Sequence, residues 1–175
     1  NVMPLPTTWQ ERGHPYSAVF WFRRRVRLPD ALVGRDLTLR LGAIDKHDIA
    51  YVNGTEVGRT GEGFDQTCFS DFREYPVPAS LVQGNELVIA VRVYSFAYAG
   101  GLTGPSDLMS VSLRDSEANE AISIAGNWRY KVEHNFGAVD LTQEMGHEVP
   151  NSPYMLFENM IRPLLPVGIA GAIWY

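Results

Sequence analysis

Apolar and polar residues alternate along most of the chain, with the period of an extended backbone. In residues 36–41, Leu37, Leu39 and Leu41 fall on one face and Thr38 and Arg40 on the other, which predicts a strand buried on one side. Residues 86–96 repeat the pattern over a longer stretch, with Leu87, Ile89, Val91 and Val93 sharing a face. Residues 17–28 carry Val19, Phe20, Trp21, Phe22, Val26 and Leu28 and are closed by Pro29 and Asp30. Shorter strands are predicted at 49–52, 56–60, 73–77, 109–113, 121–124 and 128–132. Asn53-Gly54 is a hairpin signal, because both residues accept the positive φ of a tight turn. The same residues open an Asn-Gly-Thr sequon, which the turn already explains. Residues 1–16 read as a leading loop that Trp9 anchors, and 61–71 and the glycine-rich 98–105 as further loops. Residues 79–82 read as one short turn. About nine short strands separated by turn signals, with no long helix, indicate an all-β antiparallel sandwich over residues 1–133.

The alternation stops there. Residues 134–151 read as a linker. Ser152-Pro153 starts a helix over 153–162, with serine as N-cap and proline where its missing N–H costs nothing. Leu156, Phe157, Met160 and Ile161 recur at helical spacing, and Pro163 and Pro166 end the helix. Residues 169–175 are uncharged and apolar, the pattern of a strand buried on both faces in a parallel sheet. Helix and strand over 152–175 make half of a βαβ unit whose neighbouring strands are missing. The expectation is a piece of a larger protein. An apolar strand without partners is expected to dock on a neighbour or to drive self-association.

The chain of 175 residues has 45% hydrophobic residues and a net charge of −5, enough apolar content for a core and too acidic a balance for a nucleic-acid partner. Arg23-Arg24-Arg25 is the one basic cluster. Strand alternation is expected to send Arg24 to the face opposite its neighbours. The single cysteine, Cys68, excludes an intrachain disulfide and a thiolate metal cluster and reads as a small buried hydrophobe. No run reaches the ~20 apolar residues of a membrane helix.

Chemistry is sparse. No Gly-x-Ser-x-Gly elbow is present, and His14, His47, His134 and His147 form no metal-binding pair. No cofactor is expected. The densest polar group is Asp45-Lys46-His47-Asp48, between two strands. Asp45, His47 and Asp48 are the candidate ligand-binding residues, for a sugar or a metal. The competing reading is a turn whose aspartates bond local backbone amides. Trp21, Trp128, Tyr94, Phe96 and Tyr98 offer either a sugar-stacking platform or core.

Three stretches, 20–24 (Phe-Trp-Phe-Arg-Arg), 41–48 (Leu-Gly-Ala-Ile-Asp-Lys-His-Asp) and 51–58 (Tyr-Val-Asn-Gly-Thr-Glu-Val-Gly), resemble the galactose-binding-like jelly roll. That module occurs in sialate O-acetylesterases and in the sugar-binding domain of β-galactosidase-type glycoside hydrolases. Residues 156–166 (Leu-Phe-Glu-Asn-Met-Ile-Arg-Pro-Leu-Leu-Pro) and 169–175 (Ile-Ala-Gly-Ala-Ile-Trp-Tyr) resemble the sialate O-acetylesterase signature. The resemblance implies a jelly roll followed by a short helix-strand piece of an SGNH-type α/β hydrolase domain. It implies a secreted or periplasmic parent that removes acetyl esters from sialic acids or other sugars by a serine mechanism. The catalytic serine, aspartate and histidine would lie outside this chain. Trp174 and Tyr175 would flank the parent's active site. The chain alone is then expected to be inactive, with acetylated carbohydrate as the parent's partner; the alternatives are a sugar-binding accessory domain of a β-galactosidase-type glycoside hydrolase or a stand-alone carbohydrate-binding module.

Overall fold

The computed structural model describes residues 1–63, 67–96, 98–114 and 121–137. These residues form β1 (Val2–Leu5), β2 (Thr7–Thr8), β3 (Ala18–Arg27), β4 (Leu37–Asp45), β5 (His47–Val52) and β6 (Thr55–Thr60). They continue with β7 (Phe72–Val77), β8 (Glu86–Ser95), β9 (Gly101–Leu113), β10 (Ile122–Ser123) and β11 (Gly126–Asn135). Short 3₁₀ turns lie at Gln10–Arg12, Asp30–Leu32, Thr67–Ser70 and Ala79–Leu81.

The strands make two antiparallel sheets, so the expected all-β sandwich is the fold. One sheet has six strands in the order β1-β11-β3-β8-β5-β6. The other runs β10-β9-β4-β7, with β2 also on β9. The alternation places the core as expected. Leu37, Leu39 and Leu41 of β4 and Leu87, Ile89, Val91 and Val93 of β8 are buried, with Phe20 and Phe22 of β3 and Met109 and Val111 of β9. Interdigitation of two such faces is the main stabilising contribution in a sandwich. Trp9 is fully buried and stacks on Phe20 at a centroid separation of 4.4 Å. Its indole N–H donates to the Tyr16 carbonyl at 2.8 Å, so the anchor role holds.

Two loop expectations fail for physical reasons. Residues 1–16 contain β1 and β2, which are too short and too proline-rich to show periodicity. They are defined by pairing with β11 and β9, for example Met3 opposite Trp128 and Thr7 opposite Leu102. Residues 101–105 of the glycine-rich stretch are strand, the start of β9. A Cβ added at Gly42 would sit 2.9 Å from the Gly104 Cα, so glycine here marks close approach of two backbones inside a sheet.

Gly42, at φ +67°, also sits where the register of β4 slips against both neighbours. This bulge bends the strand and leaves Ala43 and Ile44 both buried. β4 then passes through Lys46 alone into β5, which belongs to the opposite sheet. At the far end β11 runs to Asn135, two residues beyond the expected limit of the sandwich. The expected helix over 153–162 and strand over 169–175 lie outside the described residues.

Candidate functional site

Asp45, Lys46, His47 and Asp48 form the corner at which the chain changes sheets. Lys46 takes φ 120°, which non-glycine residues rarely adopt. Its ammonium is nearly buried, 2.6 Å from Asp45 Oδ1, and lies 5.8 Å from the Tyr98 ring centroid.

Asp48 points between the sheets. Arg73 Nε donates to its Oδ1 at 2.7 Å and the Tyr75 hydroxyl donates to its Oδ2 at 2.7 Å. Both side chains of the ion pair are almost wholly buried, 1% and 0% exposed. The rest of the Arg73 guanidinium donates to main-chain carbonyls. Nη2 reaches Ile44 at 2.9 Å and Lys46 at 2.6 Å, and Nη1 reaches Cys68 at 2.6 Å and Asp71. The Cys68 thiol donates to Lys46 O at 3.0 Å. One arginine therefore satisfies carbonyls that the sharp corner and the 3₁₀ turn leave without ladder partners. Burial pushes the Asp48 carboxyl above its ordinary range, opposed by the hydrogen bond and charge of Arg73 and by the Tyr75 hydroxyl. Burial, then the Asp48 charge, pushes the Tyr75 phenol well above its usual value.

Thus both Asp48 oxygens are taken up by side chains, where the turn reading expected backbone amides, and Asp45 faces Lys46. His47 differs. Its ring meets Tyr94 and Phe96 edge-on at 5.7 and 5.5 Å and borders a concavity of about 370 Å³ lined also by Ile49, Arg59, Gly61, Arg92 and Tyr94. Gly61, at φ +86°, is needed there, since a Cβ would lie 2.1 Å from the His47 ring. Among the described residues no three His, Cys, Asp or Glu side chains are grouped to hold a metal. Trp174 and Tyr175 lie outside the described residues.

The aromatic set divides. Trp128 is core. Tyr94 and Phe96 pack around His47, and Tyr98 is exposed. Trp21 faces outward from the six-stranded sheet, half-buried, with its ring 5.6 Å from Tyr51. Its N–H donates to Glu133 Oε2 at 2.6 Å.

The arginine triplet also departs from expectation. Arg24 has inward parity, but just beyond the start of the β11 ladder it reaches the Ala125 and Asn127 carbonyls at 2.9 and 3.3 Å. Arg23, Arg24 and Arg25 consequently line one concavity with Asn127 and Arg129. Sequence reasoning missed Arg73 and Arg129. For Arg73 the signal was present: it shares parity with Tyr75 and Val77, so a strand reading sends it inward.

No family model matches the chain, and no curated protein matches it. Solved structures give partial likenesses. A β-glucuronidase from Ruminococcus gnavus is 20% identical with a TM-score of 0.43, over 53% of this chain and 15% of that one. A glycosyl hydrolase family 2 member from Bacteroides cellulosilyticus DSM 14838 is 19% identical with a TM-score of 0.46, over 57% of this chain and 15% of that one. Bacteroides uniformis β-glucuronidase 2 is 21% identical with a TM-score of 0.42, over 73% of this chain and 14% of that one. The matched region is thus about 15% of the length of the first two. At these values the likeness carries no argument about activity.

Proposed function

We propose that this chain is the non-catalytic β-sandwich portion of a larger enzyme that hydrolyses bonds in carbohydrates. The observation that supports this reading is where the jelly-roll-like stretches lie. Residues 20–24 sit on β3, 41–48 cross the corner between the sheets, and 51–58 form the β5–β6 hairpin. The 41–48 stretch holds Ile44, Lys46 and Asp48, three of the residues that Arg73 binds, so this part of the resemblance rests on residues that determine the fold.

Two finer forms of the reading differ in the parent enzyme. In one the parent is a secreted or periplasmic sialate O-acetylesterase, the form supported by residues 156–166 and 169–175. A serine hydroxyl of the parent attacks the acetyl carbonyl and releases the sugar hydroxyl, and water then frees acetate from the acetyl-serine. In the other the sandwich is a sugar-binding accessory domain of a β-galactosidase-type glycoside hydrolase, which the sandwich stretches support equally.

The reading frame of the natural gene beyond Tyr175 separates them. Gln-Gly-Glu directly after Tyr175 supports the esterase, and an immunoglobulin-like sandwich supports the glycosidase. Any frame that encodes no hydrolase domain on either side overturns the proposal.

A further inference from the structure

The outward face of β3 and β11 carries a charge pattern that the fold does not require. Arg23 and Arg129 stand directly opposite each other, and Lys131 stands opposite Trp21. Like charges in directly opposed positions destabilise a sheet. Three nearby cations are matched: Arg25 to Glu86, Arg92 to Glu133 and Arg59 to Glu56, each at 2.7 Å. Among the described residues Arg23, Arg129 and Lys131 have no such carboxylate. This arrangement occurs in a chain whose net charge is −5.

Two concavities meet at this pair. One, about 530 Å³, is lined by Arg23, Arg24, Arg25, Asn127 and Arg129. The other, about 370 Å³, shares Arg23 and Arg129 and adds Trp21, Ala90, Tyr130 and Lys131. Volumes of this order suit small ligands or one or two sugar rings. Trp21 is held in place from two sides, by its bond to Glu133 and by Tyr51. Glu133 is in turn gripped by Arg92 through two bonds of 2.7 Å. The aromatic surface is therefore preorganised beside two guanidinium groups, whose planar forks match oxyanions.

We propose that this face binds an acidic saccharide. A carboxylate or sulfate on the sugar sits between Arg23 and Arg129, and the apolar face of the ring lies on Trp21. The inference rests on the carbohydrate reading above for its ligand class, while the charge geometry stands independently of it.

The test uses the 175-residue chain at low ionic strength, with oligogalacturonate as the carboxylate probe, a sulfated dextran oligosaccharide as the sulfate probe, and neutral galacto-oligosaccharide and single-stranded oligonucleotide as controls. Saturable binding of one acidic probe, with a change in Trp21 emission, is expected, and the stronger arm identifies the oxyanion. Arg23→Ser with Arg129→Ser is expected to weaken binding at least tenfold, while the thermal midpoint stays level or rises because the like-charge pair is gone. A variant damaged in folding would lose both. Trp21→Phe is expected to bind more weakly and to abolish the emission change. Unchanged affinity in the double arginine variant overturns the proposal. So does oligonucleotide binding as tight as the saccharides', since that marks a mere cationic surface. Failure of this test leaves the hydrolase reading to the gene frame, and failure of the gene frame leaves oxyanion binding to be read here.

Discussion

At the scale of single residues, the corner depends on Asp48 and Arg73. Replacing one member of a buried ion pair leaves the other charge without compensation, which costs several kcal/mol. Asp48→Asn is expected to destabilise the sandwich by about 3 kcal/mol in urea unfolding, with an unchanged dependence on denaturant. Arg73→Lys is expected to destabilise the fold in the same unfolding measurement, because an ammonium cannot span Asp48 and the carbonyls of Ile44, Lys46, Cys68 and Asp71 together. Gly61→Ala combines φ +86° with a clash against His47. It is expected to cost roughly 1–3 kcal/mol and to shift the His47 ring resonances in NMR spectra. The candidate residues Asp45, His47 and Asp48 were legible as a dense polar group. Their separation into a lysine partner, a ring beside a concavity and a buried anion was not. That division depends on Arg73, which is 25 residues from Asp48 in sequence and becomes its partner only once β5 and β7 face each other.

At the scale of elements, β3 and β11 are joined by side chains as well as by their ladder. The hydrogen bond from Arg92 chiefly, and that from the Trp21 indole, hold the Glu133 carboxyl below its ordinary value against partial burial. Its folded value lies below the unfolded one, so this contribution is present above the ordinary glutamate value. It is lost as pH falls through the depressed folded value. The group is partly exposed, so screening keeps the stability effect small. The optical effect is larger, because the protonated oxygen changes its bond to the indole. Acid titration is expected to show a Trp21 emission change with a midpoint below the ordinary glutamate value, absent in Glu133→Gln.

β8 and the first half of β4 were legible in the sequence from their alternation, and β3 from its run of aromatic and branched residues. β1, β2 and the first half of β9 were not. Their identity comes from partners far along the chain and from glycines that admit a neighbouring backbone, and local periodicity records neither. Arg24 was assigned the correct parity, yet its long side chain reaches the carbonyls at the start of β11 and lines the same concavity as Arg23 and Arg25.

At the scale of the molecule, the described residues make a two-layer sandwich in which the buried Asp48–Arg73 pair is committed to holding its shape. On the proposed non-catalytic reading, the 175-residue chain is expected to release no acetate from acetylated sugars in a coupled acetate assay. A rate abolished by changing one serine within the chain would overturn the non-catalytic reading.

The pairing of β1 with β11 fixes where the two ends of the described sandwich lie. The two strands run in opposite directions, with Val2 beside Arg129, and the Tyr130 amide donates to the Asn1 carbonyl at 3.1 Å. β11 leaves by that same end, and Asn135 lies only ~17 Å further along the strand. The first described residue and the end of β11 therefore lie on one side of the six-stranded sheet, with the pairing of β1 fixing their separation. A single turn, whose ends lie under about 7 Å apart, could not join those two points, and a direct link would take roughly five extended residues.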